Sequence, residues 1–328
     1  MAVLVTGGAG YIGSHTVRLL EQSGIDVVVY DNLTKGHRQA VANSVLVEGD
    51  IFDRGLLQQT IKQYGITAVI HFAAYSLVGE SMENPRDYYH NNVEGTLTLL
   101  DVMQQNSVTK LVFSSTAAVY GEPEVSPITE EADKKPTNVY GRTKLIMENA
   151  MADYSEAYGL NYIALRYFNA CGADQKGDIG EDHHPETHLI PLVLQTCLGQ
   201  RESIKIFGND YPTKDGTCVR DYIHVCDLAQ AHVLALQGLY NGHGSAVYNL
   251  GNGNGFTVRE IIEAAQAVTG VSIRKEEVAR RTGDPAVLIA SSQKIRHALG
   301  WKPQYTDIKS IIHSAWQWHQ ANPTGFAK

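Results

Sequence analysis

Ala2-Val3-Leu4-Val5-Thr6-Gly7-Gly8-Ala9-Gly10-Tyr11-Ile12-Gly13 runs from a short apolar stretch into three glycines spaced by two residues. The apolar run with its two valines reads as a buried parallel strand. Ile12, Val17, Leu19 and Leu20 continue it as an amphipathic helix. Between them, Gly7 permits a tight turn, Gly10 admits a close backbone approach by a pyrophosphate, and Gly13 lets helix and strand pack. A second strand, Val27-Val28-Val29-Tyr30, ends in Asp31. A carboxylate there can accept hydrogen bonds from a ribose diol and repels a 2′-phosphate, so the reading is a dinucleotide site that prefers NAD to NADP.

Outward from that unit the alternation continues. Val45-Leu46-Val47 leads to Asp50-Ile51, which can flank an adenine, although Asp50 can equally cap a helix starting near Leu56. Ala68 to Phe72 forms a strand ending in the small residues Ala73-Ala74, and a helical stretch over 85–105 carries Asn91-Asn92. Lys110 to Phe113 is a strand ending in Ser114-Ser115-Thr116, hydroxyls that either cap a turn or face a ligand. Tyr162 to Arg166 is another, followed by Tyr167-Phe168-Asn169. Strands and helices in turn with short links predict a doubly wound parallel α/β sheet. After Cys171 the pattern loosens. The expected division is a Rossmann-type NAD-binding domain over 1–171 and a smaller, irregular substrate lobe over 172–328, with segments near 225–250 returning to the first domain. The second lobe reads as helices at 189–198, 227–239, 257–268 and 308–319, strands at 204–206 and 247–250, and a loop through Asp221.

Tyr140 and Lys144 are four residues apart at the head of a helix predicted over 143–158, hence on one face. A nearby ammonium favours the phenolate, which makes the pair a candidate base.

Bulk properties exclude several classes. The 328 residues carry a formal charge of −8 without a long basic run, which argues against nucleic acid or an anionic membrane as partner. The composition, 43% hydrophobic and 19% charged, is that of a globular protein. Four scattered cysteines (Cys171, Cys197, Cys218, Cys226) predict neither disulfides nor a zinc site. His183-His184 reads as a solvated pair in an acidic loop, and no metal is expected. With no signal peptide or membrane span, a cytoplasmic location is expected.

The glycine turn, Ser-Ser-Thr, Tyr-x-x-x-Lys and Arg166-Tyr167-Phe168-Asn169 together resemble the extended short-chain dehydrogenase/reductase family. Gly180-Glu181-Asp182, the block over 207–225 and the block over 280–284 are similar to its UDP-hexose 4-epimerase members. The resemblance covers essentially the whole chain. It implies Tyr140 as base, Lys144 on the nicotinamide ribose, and Thr116 between Tyr140 and the sugar O4. It places Gly7, Gly10, Tyr11, Ile12 and Gly13 at NAD-binding positions. Asp31, Asn32, Asp50 and Ile51 join them, as do Phe72, Ala73, Ala74, Asn91 and Phe168. Asn169, Leu189, Phe207, Arg220, Arg281 and Asp284 fall at UDP-holding positions. From the residues alone, the two arginines would read as surface ion pairs. Three positions depart from relatives: Ser76 stands where some have a lysine, His188 where many have a substrate-binding Asn whose hydrogen-bond donor it keeps, and Leu288 where some have Tyr. Leu288 leaves space for an N-acetyl group at C2.

The implied activity is a redox-neutral interconversion of UDP-galactose and UDP-glucose by a homodimer, with helices around 85–105 and 143–158 as interface. A 4,6-dehydratase would need an acid–base pair directly after the threonine, where this chain has Ala117-Ala118. The same fold could also serve a net-oxidising dehydrogenase of nucleotide sugars or a non-catalytic NAD-binding scaffold.

Overall fold

The computed structural model describes residues 2–41, 43–281 and 284–326. Seven strands form one parallel sheet: β1 (Ala2–Thr6), β2 (Asp26–Asp31), β3 (Val45–Glu48), β4 (Ile66–His71), β5 (Lys110–Thr116), β6 (Asn161–Tyr167) and, returning late in the chain, Ala246–Leu250. Their order is β3-β2-β1-β4-β5-β6 with Ala246–Leu250 beyond β6. Chain order reverses between β1 and β4. The loops leaving those two strands therefore diverge, opening a crevice at their carboxyl ends.

Both faces of the sheet are covered. Val3, Val5, Ile70 and Ile163 point to one side, against the helices Tyr11–Gln22 and Val225–Tyr240. Leu4, Val69, Leu111 and Phe113 point to the other, with Leu57, Leu99, Met147 and Met151 from the helices Arg54–Tyr64, Gly95–Gln105 and Val139–Tyr158. The alternation follows from the two-residue period of a strand.

Outside that sheet lie β7 (Asn169–Cys171), β8 (Ile204–Phe207), β9 (Val219–His224), β11 (Gly255–Thr257), β12 (Lys275–Val278) and β13 (Val287–Leu288), with Ala246–Leu250 as β10 in chain order. β9 is the centre of a small mixed sheet, antiparallel to β11 and parallel to β13 and β7. The segment expected to be a loop through Asp221 is thus a strand. Arg220 and Asp221 hide the strand pattern, but Asp221 is fully buried because its carboxylate accepts the N–H groups of Asn252, Gly253 and Ala290.

Caps mark where the helices begin. The Arg54–Tyr64 helix is capped by Asp53, which accepts the Leu56 N–H, not by Asp50. Asn138 caps Val139–Tyr158 through the Gly141 N–H, and Gly159 ends it in the left-handed region at φ 71. Each such side-chain cap contributes ~1 kcal/mol. Over 85–105 the helix is interrupted: Tyr89–Glu94 winds as a π-helix between the α-helical pieces Pro85–Tyr88 and Gly95–Gln105.

Candidate active site

A cleft of about 860 Å³ lies at the crevice between β1 and β4 and extends to the second lobe. At its nucleotide end, Gly7 has φ 71, and a Cβ there would lie 2.5 Å from the Ala73 nitrogen. A Cβ on Gly13 would overlap the Gly7 carbonyl. No side chain caps the Tyr11–Gln22 helix at Gly10, and its first turn has no acidic residue. Its N-terminus therefore presents backbone N–H groups and the positive end of the helix dipole to the cleft, which suits a pyrophosphate. Asp31 is buried and is fixed by the Ala9 and Leu33 N–H groups, both at 2.9 Å.

Ile12, Asn32 and Ile51 also line this end, and Phe72, Ala73 and Ala74 form the opposite wall after β4, with Ser76 beyond them. The Tyr11 hydroxyl donates to the Gly172 carbonyl at 2.6 Å, so this side chain joins the lobes while its backbone opens the helix. Asp50 is exposed and turned aside, accepting from the Asn32 amide at 3.1 Å. Asn91 reaches the cleft from the π-helical turn. Asn92 beside it, fully buried, bonds both backbone groups of Tyr75 and the Thr143 hydroxyl. It ties the cleft wall to the helix that carries Tyr140. The π-turn has no sequence signal of its own, although such turns recur at functional sites.

At the chemical end, Thr116 closes β5 and Tyr140 stands in the first turn of Val139–Tyr158, its backbone N–H held by Ser81 Oγ. One turn on, the Lys144 ammonium donates to the Ser114 carbonyl at 2.9 Å and sits 5.9 Å from the Tyr140 ring centroid. Burial pushes the Tyr140 phenol up to about 12, against a smaller downward pull from the Thr116 hydrogen bond. Burial also brings Lys144 down to about 7, opposed by the Glu148 carboxylate. In the protein alone, desolvation thus outweighs the stabilisation of the phenolate expected from the lysine. Sequence reading missed Tyr167, whose hydroxyl pairs with Ser114 Oγ on the cleft wall. It also missed the buried Glu148–Arg166 ion pair beneath Ser115 and Tyr120. After Thr116 come Ala117 and Ala118, also on the wall, in a single 3-10 turn.

At the far end, Phe168, Asn169, His188, Arg220, Asp284 and Leu288 line the cleft. Arg220 is bonded to the Pro285 carbonyl at 2.8 Å and to Asp284 at 3.2 Å. Asp284 also holds Arg281 at 2.8 Å, and that guanidinium covers the Phe207 ring at 4.9 Å. Thr282 and Gly283 of the same motif lie outside the described residues. Leu189, Phe207, Arg281 and Asp50 do not line the cleft. Leu189 opens the Leu189–Cys197 helix and packs on the second-lobe core, while Phe207 and Arg281 stack on each other beyond the wall.

The expected solvated His183-His184 pair is also revised. His184 is exposed, but His183 turns inward, with its ring edge-on to Tyr11 at 6.1 Å and its Nδ1 buried. Among the described residues no helix is long and apolar enough to cross a membrane.

A crevice of this kind, with a glycine cradle at one end and a tyrosine–lysine pair at the other, defines a dinucleotide-dependent enzyme acting on an alcohol or ketone. The family model for the NAD dependent epimerase/dehydratase family matches residues 3–251, and the chain belongs to that family. It is 55% identical to the UDP-glucose 4-epimerase of Halalkalibacterium halodurans over 100% of this chain and 98% of the relative. The solved UDP-glucose 4-epimerase of Brucella ovis in complex with NAD superposes with a TM-score of 0.94, at 50% identity, covering 96% of this chain and 97% of that one. That of Bifidobacterium longum in complex with NAD+ and UDP gives a TM-score of 0.92 at 39% identity, covering 99% and 100%. The residues present fit NAD: the space left by Gly7 and Gly13, the uncapped helix and the buried Asp31 suit a pyrophosphate and a ribose diol.

Proposed function

We infer that the chain catalyses the NAD-dependent interconversion of UDP-galactose and UDP-glucose at C4, with no net oxidation. The observation that carries this reading is the hydroxyl pair Thr116 and Tyr140 followed by Ala117-Ala118. Directly after Thr116 the chain has two alanines and no acid–base pair for eliminating water, which disfavours the dehydratase chemistry also found in the family. Full-length similarity to UDP-glucose 4-epimerases supports it.

In this reading residues 1–171, with the returning 225–250 segment, hold the cofactor, and 172–328 otherwise holds the sugar nucleotide. Gly7, Gly10 and Gly13 cradle the pyrophosphate, Asp31 accepts from the adenosine ribose, and Lys144 binds the nicotinamide ribose. NAD bound there supplies a hydride acceptor that later serves as donor. Tyr140 takes the proton from the 4-hydroxyl, Thr116 aligns that hydroxyl, and Lys144 contributes positive charge beside the phenolate. Arg220, oriented by Asp284, anchors the diphosphate by forked, charge-assisted hydrogen bonds. With binding energy concentrated on UDP, the hexose is loosely held. The 4-keto sugar turns about its bond to the diphosphate and presents its other face, and Tyr140 returns the proton after C4 is reduced with inversion. Ala117 and Ala118 offer only methyl groups to the turning ring. Leu288 leaves space at C2 for an N-acetyl group.

Assembly as a homodimer in the cytoplasm completes the reading. Val78, Met82, Tyr89 and Ile146 are exposed on adjoining helices around Val139–Tyr158, an apolar face suited to a second copy.

Purified protein should convert UDP-galactose to UDP-glucose without added NAD. A requirement for stoichiometric NAD with release of NADH would overturn the reading. Run beside it, UDP-N-acetylgalactosamine should also be turned over, and Leu288→Tyr should suppress that activity selectively; equal loss on both sugars would remove Leu288 as the gate.

A further inference from the structure

One cluster stands apart from the proton-transfer residues, although its His188 also lines the substrate end of the cleft. Glu181, His183, Glu186 and His188 lie in the loop between β7 and the Leu189–Cys197 helix, and each turns one donor atom toward a common centre, all within 4.8 Å of one another. His188 Nδ1 is 2.8 Å from Glu181 Oε1 and 3.2 Å from Glu186 Oε1. His183 Nδ1 is 3.2 Å from Glu181 Oε1 and 3.7 Å from Glu186 Oε2.

These are ion-pair distances, yet the contacts are not aligned as hydrogen bonds. Glu181 Oε1, His183 Nδ1 and His188 Nδ1 are all buried and none makes an aligned hydrogen bond. The Glu181 side chain is only 4% exposed, whereas the His183 and His188 side chains are 25% and 42% exposed, so the Nδ1 atoms, and not the whole rings, are withdrawn from water. Buried polar atoms are normally paired, and three orphans around one point are a costly arrangement unless something sits between them. Two donors bound to the same tetrahedral ion at about 2.0–2.1 Å lie ~3.3 Å apart, and with one donor atom per residue the separations from Glu181 Oε1 to the two imidazoles (3.2 and 2.8 Å) and from Glu186 Oε1 to His188 (3.2 Å) scatter around that value. The surroundings also orient the donors. Glu186 Oε1 accepts the N–H groups of Thr187 and His188, which fixes the carboxylate, and Trp318 holds the Glu181 carbonyl.

We propose that Glu181, His183, Glu186 and His188 form a closed structural site for one divalent transition-metal ion of the zinc type. Two imidazoles and two carboxylates match zinc chemistry, whereas magnesium and calcium favour all-oxygen shells. Four protein donors leave no open position, so the ion fastens structure and does not act on substrate. What it fastens is a strap between the lobes. Lys35 donates to the His184 carbonyl, His37 contacts Asp182 at 3.1 Å, and the Phe326 N–H binds the Asp182 carboxylate. Residues 181–185 wall the cleft on this side, and His188 lines it toward the substrate end. The ion therefore staples the strap across the cofactor end, in a protein whose cycle gains nothing from releasing its cofactor.

The test is metal analysis of the untagged holoenzyme, loaded with zinc and passed through a weak chelator. About one zinc per chain should remain, and cobalt in its place should give the intense visible absorption of a tetrahedral site. His183→Ala and Glu186→Gln should weaken zinc by more than roughly 100-fold in a competition titration, beyond what loss of an orienting partner costs. Circular dichroism checks that both variants fold, and if either does not, the wild-type stoichiometry and cobalt spectrum decide alone. Removing the ion from the wild type should speed both cofactor loss and proteolysis within 172–188. A small fraction of an ion per chain, a six-coordinate cobalt spectrum, or equal zinc affinity in the folded variants would overturn the site. Unchanged cofactor retention and protease resistance after metal removal would overturn the stapling.

Discussion

At the Gly7–Gly13 end the cleft wall is largely backbone. A turn, a helix terminus and the carboxyl ends of two adjacent strands shape it, and the Cβ atoms absent from Gly7 and Gly13 leave the space. At the Arg220–Leu288 end the wall is side chains from segments far apart in the chain, oriented by one another. Arg220 is placed by Asp284 and the Pro285 carbonyl, and Leu288 by packing against Val119, Tyr120 and Ile128. A backbone site tolerates little change and repeats its spacing wherever it occurs. A side-chain site can be retuned one residue at a time, which suits the end that distinguishes sugars.

Three substitutions separate the two ends from the chemistry between them. The largest effect should come from Tyr140→Phe, which removes the proton-transfer group and leaves the buried ring. Turnover should fall by at least ~10²–10⁴-fold, the usual contribution of such a group, with melting temperature and bound cofactor unchanged. A variant within tenfold of wild type would take the role from Tyr140. Next is Gly7→Ala. Its positive φ costs ~1–2 kcal/mol for an L-residue, before the overlap with Ala73 is counted. The variant should purify with little cofactor, seen in its absorbance, while UDP affinity is kept. Full cofactor occupancy would break the contrast, since it would show a backbone end as adaptable as the other. Smallest is Arg220→Met. Losing a charge-assisted contact of ~1.5–3 kcal/mol should raise KM for the UDP-sugar ~10–100-fold. Steady-state kinetics should show kcat nearly unchanged, and a fall in kcat with constant KM would move Arg220 into the chemical step.

The same division explains what could be read in advance. The parallel sheet and the glycine cradle are legible because strand, turn and helix are contiguous and each glycine answers a local steric demand. Tyr140 and Lys144 are legible as a helical spacing, and Asp31 as a strand end. β9 was hidden because two of its residues are charged, and Asp221 is acceptable in the core only through N–H groups from residues 252, 253 and 290. The cap at Asp53 in place of Asp50 is a three-residue shift that periodicity does not resolve. His183 turns inward against Tyr11, more than 170 residues away in the chain, a contact no local pattern announces. The substrate residues were named only through family resemblance, and for Phe207 and Arg281 the fold shows a stacked pair beyond the cleft wall.

In the proposed cycle one base and one resident cofactor oxidise and re-reduce the same carbon. UDP-galactose carrying deuterium at the sugar C4, incubated with the enzyme in ordinary water, tests it most directly. The expected product is UDP-glucose that keeps the deuterium at C4, because hydride leaves and returns within one site. Loss of the label to solvent, or a 4-keto-6-deoxy sugar as product, would contradict it.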